Sequence, residues 1–209
     1  MTYNDKQVQI IEAAERLFSD NGFNGTSVRD IAEAATVNLA MISYYFGSKD
    51  KLLEAIFTYR GENTRLQISQ MIENKELEPL DKMYHLIEYY IDKIQRQNCF
   101  HKIIAREQVL HNNGQVTEAI LKIKRTNLEL IGQLVKEGQR KGVFKKNVDV
   151  NLMMGTLFGT ANHVMTTQHM YKELMNQQDV PDEQFEKQIR KKLSAHLKSL
   201  FKAILTYEE

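Results

Sequence analysis

Long apolar runs are missing. No stretch reaches the roughly 18 consecutive apolar residues that a membrane-crossing helix needs, so no membrane segment is expected. The opening residues, MTYNDKQVQ, hold no apolar signal core, and the reading from them is a protein that stays in the cytoplasm. The lone cysteine, Cys99, excludes an internal disulfide and suits a reducing compartment; it reads as a buried or incidental thiol rather than a redox switch. Only two prolines and ten glycines punctuate 209 residues, and alternating β-branched runs are absent. An all-α fold follows as the expectation. No glycine-rich phosphate loop, G-x-S-x-G elbow or argued pair of acids is present, so no catalytic residue, no cofactor and no enzyme is expected. Cys99 with His101, and His163 with His169, lack the i,i+4 spacing of a helical metal site, and none is expected. Excess charge is missing too: 28 basic against 27 acidic residues leave +1.

What is present is organised around Ser27–Phe46, SVRDIAEAATVNLAMISYYF. Ser27 and Asp30 have the spacing of a capping box, and Val28, Ile31, Ala32 and Ala35 give the helix after it one apolar face. Asn38 caps a second short helix, with Val37 and Ile42 placed as its hydrophobic staple. Two such helices joined by a few residues cannot bury both faces alone. The stretch Lys6–Asn21, with Ile10, Ile11, Ala13, Ala14, Leu17 and Phe18 on one side, supplies a third, closed by Gly22 as a left-handed cap. This is the pattern of a helix-turn-helix module, whose second helix enters the DNA major groove.

Residues 4–64 resemble the DNA-binding domain of the TetR family of bacterial transcriptional regulators. The resemblance rests on ordered elements: Ala14 to Phe18, Gly22-Phe23, Thr26-Ser27-Val28, Ile31-Ala32, Val37, Ile42 to Phe46 and Ser48-Lys49. It implies an N-terminal three-helix domain (4–64) joined through a long helix to a larger C-terminal bundle (65–209) for ligand binding and dimerisation. From periodicity, about nine helices are expected in all. The joining helix, capped by Ser48, carries Leu52, Ile56, Tyr59 and Leu66 as an inward stripe; it is either a lever or a connector. A long helix follows at about 148–172, then a loop, then a final amphipathic helix.

The resemblance also implies function: a dimeric repressor on a double-stranded, palindromic operator, released by a small-molecule effector. Candidate DNA contacts are Ser27, Arg29, Asn38, Leu39, Ala40, Met41, Ser43, Tyr44, Tyr45 and Lys49, while Ile42 and Phe46 point inward. Arg29 stands where the family often contacts the groove, and its alternative is a surface pair with Asp30 or Glu33. Lys49 matches a family lysine that contacts phosphate. Leu39-Ala40-Met41 offers few donors to base edges, so thymine methyls and DNA shape should carry part of the specificity. Residues 1–60 hold six basic and eight acidic side chains, a balance of −2, and a shallow salt dependence is expected. That acidity also leaves open a helical-bundle ligand-binding or interaction protein without operator binding.

For the implied pocket, Tyr84, Phe100, Asn127, Phe158 and His163 are candidate lining residues, with ordinary packing as their alternative. For the implied two-fold interface, the candidates are Gly155, Gly159, Phe185, Ile189, Leu193, Leu197, Leu200 and Ile204. The stripe among them also suits a monomer core.

Overall fold

The computed structural model describes residues 3–110 and 114–207. The sequence ends a helix at Asn112-Asn113-Gly114, and the two asparagines lie outside these residues. Ten helices are described, with no strand among them: α1 (Asp5–Asn21), α2 (Val28–Ala34), α3 (Leu39–Phe46), α4 (Lys49–Glu73), α5 (Pro79–Arg96), α6 (Asn98–Leu110), α7 (Gly114–Arg140), α8 (Val150–Thr166), α9 (Gln168–Leu174) and α10 (Asp182–Leu205). They form two compact units, one of residues 1–67 and 97–127, the other of 68–96 and 128–209. α6 and the start of α7, assigned by sequence to the 65–209 domain, therefore pack with the helix-turn-helix. The reason is apolar: Phe100, Ile103, Val116 and Ile120 share one core with Ile10, Ile11, Ala14 and Phe18 of α1.

In the first unit, α1 begins with a full capping box, Asn4 accepting from the Gln7 N–H and the Gln7 side chain accepting from Asn4. Gly22 ends α1 at φ +77, with its N–H on the Phe18 carbonyl. Its ψ of 167 makes it an extended positive-φ cap rather than a left-handed helical one. No basic residue occupies the last turn of α1, and Arg106 of α6 donates to the Phe18 carbonyl instead, at 3.4 Å. Within α4, Leu52 and Ile56 are buried as expected, but Leu66 is exposed because it belongs to neither core.

The second unit is built on α5, α8 and α10. Phe185, Ile189, Leu193, Leu197, Phe201 and Leu205 recur every four residues along α10, and all are buried in the chain's own core. Phe185, Ile189, Leu193 and Leu197 thus fill the protomer, which corrects their placement at a dimer surface. Met83, Ile87, Tyr90 and Ile91 of α5 and Met153, Leu157, Ala161 and Val164 of α8 complete this core. The single helix expected at 148–172 is broken at Thr167. The Thr166 and Thr167 hydroxyls donate to the carbonyls of Asn162 (2.7 Å) and His163 (2.6 Å), competing with the helix ladder, and α9 starts afresh.

Polar contacts fix the register of α10 on α5. Arg190 donates to Asp92 (2.7 Å) and Glu88 (2.9 Å), Lys198 and Ser194 both donate to Glu88, and Gln95 donates to Glu186 (2.6 Å). Burial opposes ionisation of Glu88, but the hydrogen bonds from Lys198 and Ser194 and the charges of Lys198 and Arg190 outweigh it. Its carboxyl is held below the ordinary value of 4.5. A depressed folded pKa contributes stability above the unfolded value and loses it as pH falls. Unfolding measured from pH 6 down to about pH 3 should therefore show a decline below about pH 4.5 that is shallower in Glu88→Gln.

Candidate nucleic-acid interface

Three of the described helices end in the same hydrogen-bonded turn, and one of these turns makes the helix-turn-helix. After α2, Val37 N–H bonds to the Ala32 carbonyl and Thr36 N–H to that of Glu33, with Thr36 at φ +51. The same 6→1 and 5→2 pair closes α7 with Gly142 at φ +75, and α9 with Asn176 at φ +51. Glycine adopts that conformation freely and asparagine tolerates it, but a β-branched threonine is strained there. Thr36→Gly should raise the denaturation midpoint of the protein by the equivalent of about 0.5–1 kcal/mol, the strain relieved less the added unfolded-chain entropy. The carbonyl of buried Ala35 is not left bare: the Gln9 amide donates to it at 2.8 Å, tying the turn to α1.

Caps set the directions of both motif helices. Ser27 accepts from the Asp30 N–H at 3.1 Å and its own N–H donates to Asp30 at 2.8 Å, the expected capping box. That N–H, donating to the Asp30 carboxylate, is the main cause holding its pKa below the ordinary value. With Asp30 so engaged, Arg29 is exposed and forms no ion pair with a described residue. Asn38 accepts from the Ala40 N–H at 2.9 Å and starts α3. Ile42 and Phe46 are buried in the core of the unit, with Val37 packed against it.

The opposite side of α3 is bare. Leu39 is 44% and Tyr44 83% exposed, and Ala40 and Ser43 are exposed beside them. Ser27, Arg29 and Asn38 are exposed, whereas Met41, Tyr45 and Lys49 are half-buried. Tyr45 packs edge-on against Tyr44 at 5.1 Å and lies against the core. All ten candidate contacts fall within the first unit. Lys49 has a part that sequence did not assign. Its ammonium donates to the Phe23 and Thr26 carbonyls, both at 2.9 Å, and stands 4.2 Å over the Phe23 ring. Two of its three N–H groups thus bind the start of α4 to the α1–α2 loop, and one is left for a further acceptor. Thr26 locks the same loop, its hydroxyl shared between the Gly22 (2.9 Å) and Leu17 (3.1 Å) carbonyls.

A second tether also escaped sequence reading. Glu15 of α1 and Arg60 of α4, side chains 6% and 15% exposed, pair through Arg60 Nε at 2.8 Å, and Nη2 reaches the other oxygen at 3.3 Å. Forty-five residues separate them, so no local spacing could have flagged the pair.

The candidate effector residues divide between the two units. Phe100 is core in the first unit, its ring 5.3 Å from Phe57. Asn127, in that unit also, lines a cavity of about 80 Å³ with Phe57, Gly61, Arg65 and Ile123. Tyr84 and Phe158 pack against the core of the second unit, and His163 is exposed on α8. Of the dimer candidates, Gly155 and Gly159 are exposed on α8 near Leu152, which is 72% exposed, while Leu200 and Ile204 are half-buried.

A capped, tethered three-helix unit that holds a short helix with one face anchored and the other bare is a helix-turn-helix DNA-binding module. The family model for bacterial regulatory proteins of the tetR family matches residues 10–56, and that for the YsiA-like protein C-terminal region matches 63–189, more than half of the chain. The chain belongs to the TetR family of bacterial transcriptional regulators, with a YsiA-like C-terminal region. It is a DNA-binding regulator of transcription, in a family of regulators rather than enzymes, which decides against the bundle without DNA binding.

Among its relatives is the fatty acid metabolism regulator protein of Bacillus subtilis, 25% identical over 162 residues, 78% of this chain and 82% of the relative. The probable HTH-type transcriptional regulator YttP of Bacillus subtilis is 49% identical over 61 residues, 28% of this chain and 30% of that protein. The crystal structure of FadR from Bacillus subtilis with stearoyl-CoA has the same fold, with a TM-score of 0.69 at 22% identity over 92% of this chain and 97% of that one. No described helix is long and apolar enough to cross a membrane.

Proposed function

We propose that this regulator is a homodimeric repressor that binds a palindromic operator and is released by a long-chain acyl thioester. The observation that carries the DNA half is the bare face of α3, with Leu39, Ala40, Ser43 and Tyr44 turned away from the anchored Ile42 and Phe46. On this reading residues 4–64 form the DNA-binding domain, with Ser27, Arg29, Asn38, Met41, Tyr45 and the remaining N–H of Lys49 completing the contact set. Residues 65–209 bind effector and dimerise. An exposed face of α8 with small residues at Gly155 and Gly159 suits an isologous contact between two copies, half-buried Leu200 and Ile204 adding apolar surface. Two-fold symmetry then matches half-sites about one helical turn apart. The effector class is supported by the likeness, over most of both chains, to a fatty acid metabolism regulator and to a FadR structure holding stearoyl-CoA.

The test is fluorescence anisotropy of purified protein on DNA upstream of its own gene, against scrambled DNA, across a salt series, with mass measured in parallel. Selective binding by two subunits per palindrome, released by stearoyl-CoA but not by free coenzyme A, is the expected result. Equal binding to scrambled DNA across several candidate promoters would overturn the operator reading. Selective binding that stearoyl-CoA leaves intact would overturn the effector.

A further inference from the structure

The cores of the two units differ in one respect. The buried core of the second unit holds four methionines, Met83, Met153, Met154 and Met165, and that of the first holds none. Methionine is unbranched and repacks at low cost, so it suits a core that must change shape. In the same methionine-bearing core, Tyr90 of α5 is 1% exposed and its hydroxyl has no hydrogen-bond partner among the described residues. A buried hydroxyl without a partner is costly and unusual in a packed interior. The other aromatic neighbours are in place: Phe158 of α8 meets the Tyr90 ring edge-on at 4.7 Å and Tyr89 lies at 5.4 Å. The Lys93 ammonium lies 5.9 Å from the Tyr90 ring centre.

We propose that this core is the effector site in its closed state, that it opens around a long apolar tail, and that the Tyr90 hydroxyl donates to a carbonyl oxygen of the ligand. The inference rests on the effector reading above and adds the recognising residue and the group recognised. A tail entering between α5 and α8 would displace methionine side chains rather than break polar contacts. Its carbonyl would supply the acceptor that the folded chain does not. Burial pushes the Tyr90 phenol well above its ordinary pKa, so the group remains a donor at any physiological pH. A free fatty acid and an acyl thioester share the chemistry recognised, an apolar chain ending in a carbonyl.

The test compares wild type with Tyr90→Phe. The hydroxyl has no partner to lose, so the variant should melt no lower than wild type and bind DNA equally. Calorimetric titration with three probes then isolates the hydrogen bond: stearoyl-CoA, stearate, and S-octadecyl-CoA, a thioether lacking the carbonyl. The expected result is about a tenfold loss of stearoyl-CoA affinity in Tyr90→Phe, about 1.4 kcal/mol, with thioether binding unchanged. Wild-type binding of stearate but not of stearoyl-CoA, with the stearate affinity lost in Tyr90→Phe, would uphold the Tyr90 site and remove the thioester as effector. Equal stearoyl-CoA binding by both proteins would overturn the Tyr90 site while leaving the thioester reading intact. No binding of any probe to wild type would overturn both.

Discussion

On the proposed reading, Arg29→Ala should lower operator affinity by about 5- to 150-fold per half-site, the equivalent of about 1–3 kcal/mol for a guanidinium that grips a base edge. The alternative use of Arg29, a surface ion pair with Asp30 or Glu33, is not formed among the described residues. Its neighbour Asp30 is engaged by the Ser27 N–H at 2.8 Å, so Arg29 stands exposed without an ion pair among the described residues. Titrating the variant across salt separates two modes. If Arg29 reads a base, the loss is large on the operator and small on scrambled DNA, with the salt slope hardly changed. If it touches only phosphate, both DNAs weaken alike and the slope falls by about one. An affinity unchanged on both would remove Arg29 from the interface. Few other cations compete: residues 1–60 carry a balance of −2, so one guanidinium should matter more here than on a basic surface.

Glu15→Ala destabilises the protein by about 3 kcal/mol, because it leaves Arg60 largely buried with its charge unmatched. Replacing both partners by apolar residues of similar shape, Glu15→Leu with Arg60→Met, should cost far less than either single change, since no buried charge remains. Chemical denaturation of the two single variants and the double one measures this directly. A double variant as unstable as the sum of the singles would show that the pair acts through something other than its charges. Arg60→Lys should recover only part of the stability, because a lysine cannot reach both Glu15 oxygens as Arg60 Nε and Nη2 do. The pair also bears on function. With Lys49 at the first turn of α4 and Arg60 three turns on, α4 holds α1 and its loop at two points. Loss of the ion pair should therefore loosen α1 from α4 and weaken DNA binding even at temperatures where the variant is folded.

Much of this protein was legible before any coordinates. The Ser27–Asp30 capping box, the Asn38 cap, the inward Ile42 and Phe46 and the bare Leu39, Ala40, Ser43 and Tyr44 all follow from short-range rules. Helical spacing and capping act within a few residues, so the local sequence determines them. So did the class of protein, because the helix-turn-helix compresses its identity into one run of about twenty residues. Tyr90 was within reach as well. It stands three residues after Ile87 and four before Ile94 on the buried side of α5, and only its polar tip distinguishes it from core.

What the tertiary structure decided is every relation that depends on which apolar face meets which. The regular stripe of α10 was compatible with a partner subunit or with the chain's own core, and packing against α5 and α8 put Phe185, Ile189, Leu193 and Leu197 inside. The apolar face of α1 needed more cover than α2, α3 and α4 provide, and Phe100 with Ile103 supplies it, so α6 joined the helix-turn-helix unit. Lys49 reads as a phosphate ligand in one dimension and as a loop tether in three, since carbonyls of Phe23 and Thr26 converge on it from more than twenty residues away. Periodicity says which side of a helix is buried. Only the fold says what buries it.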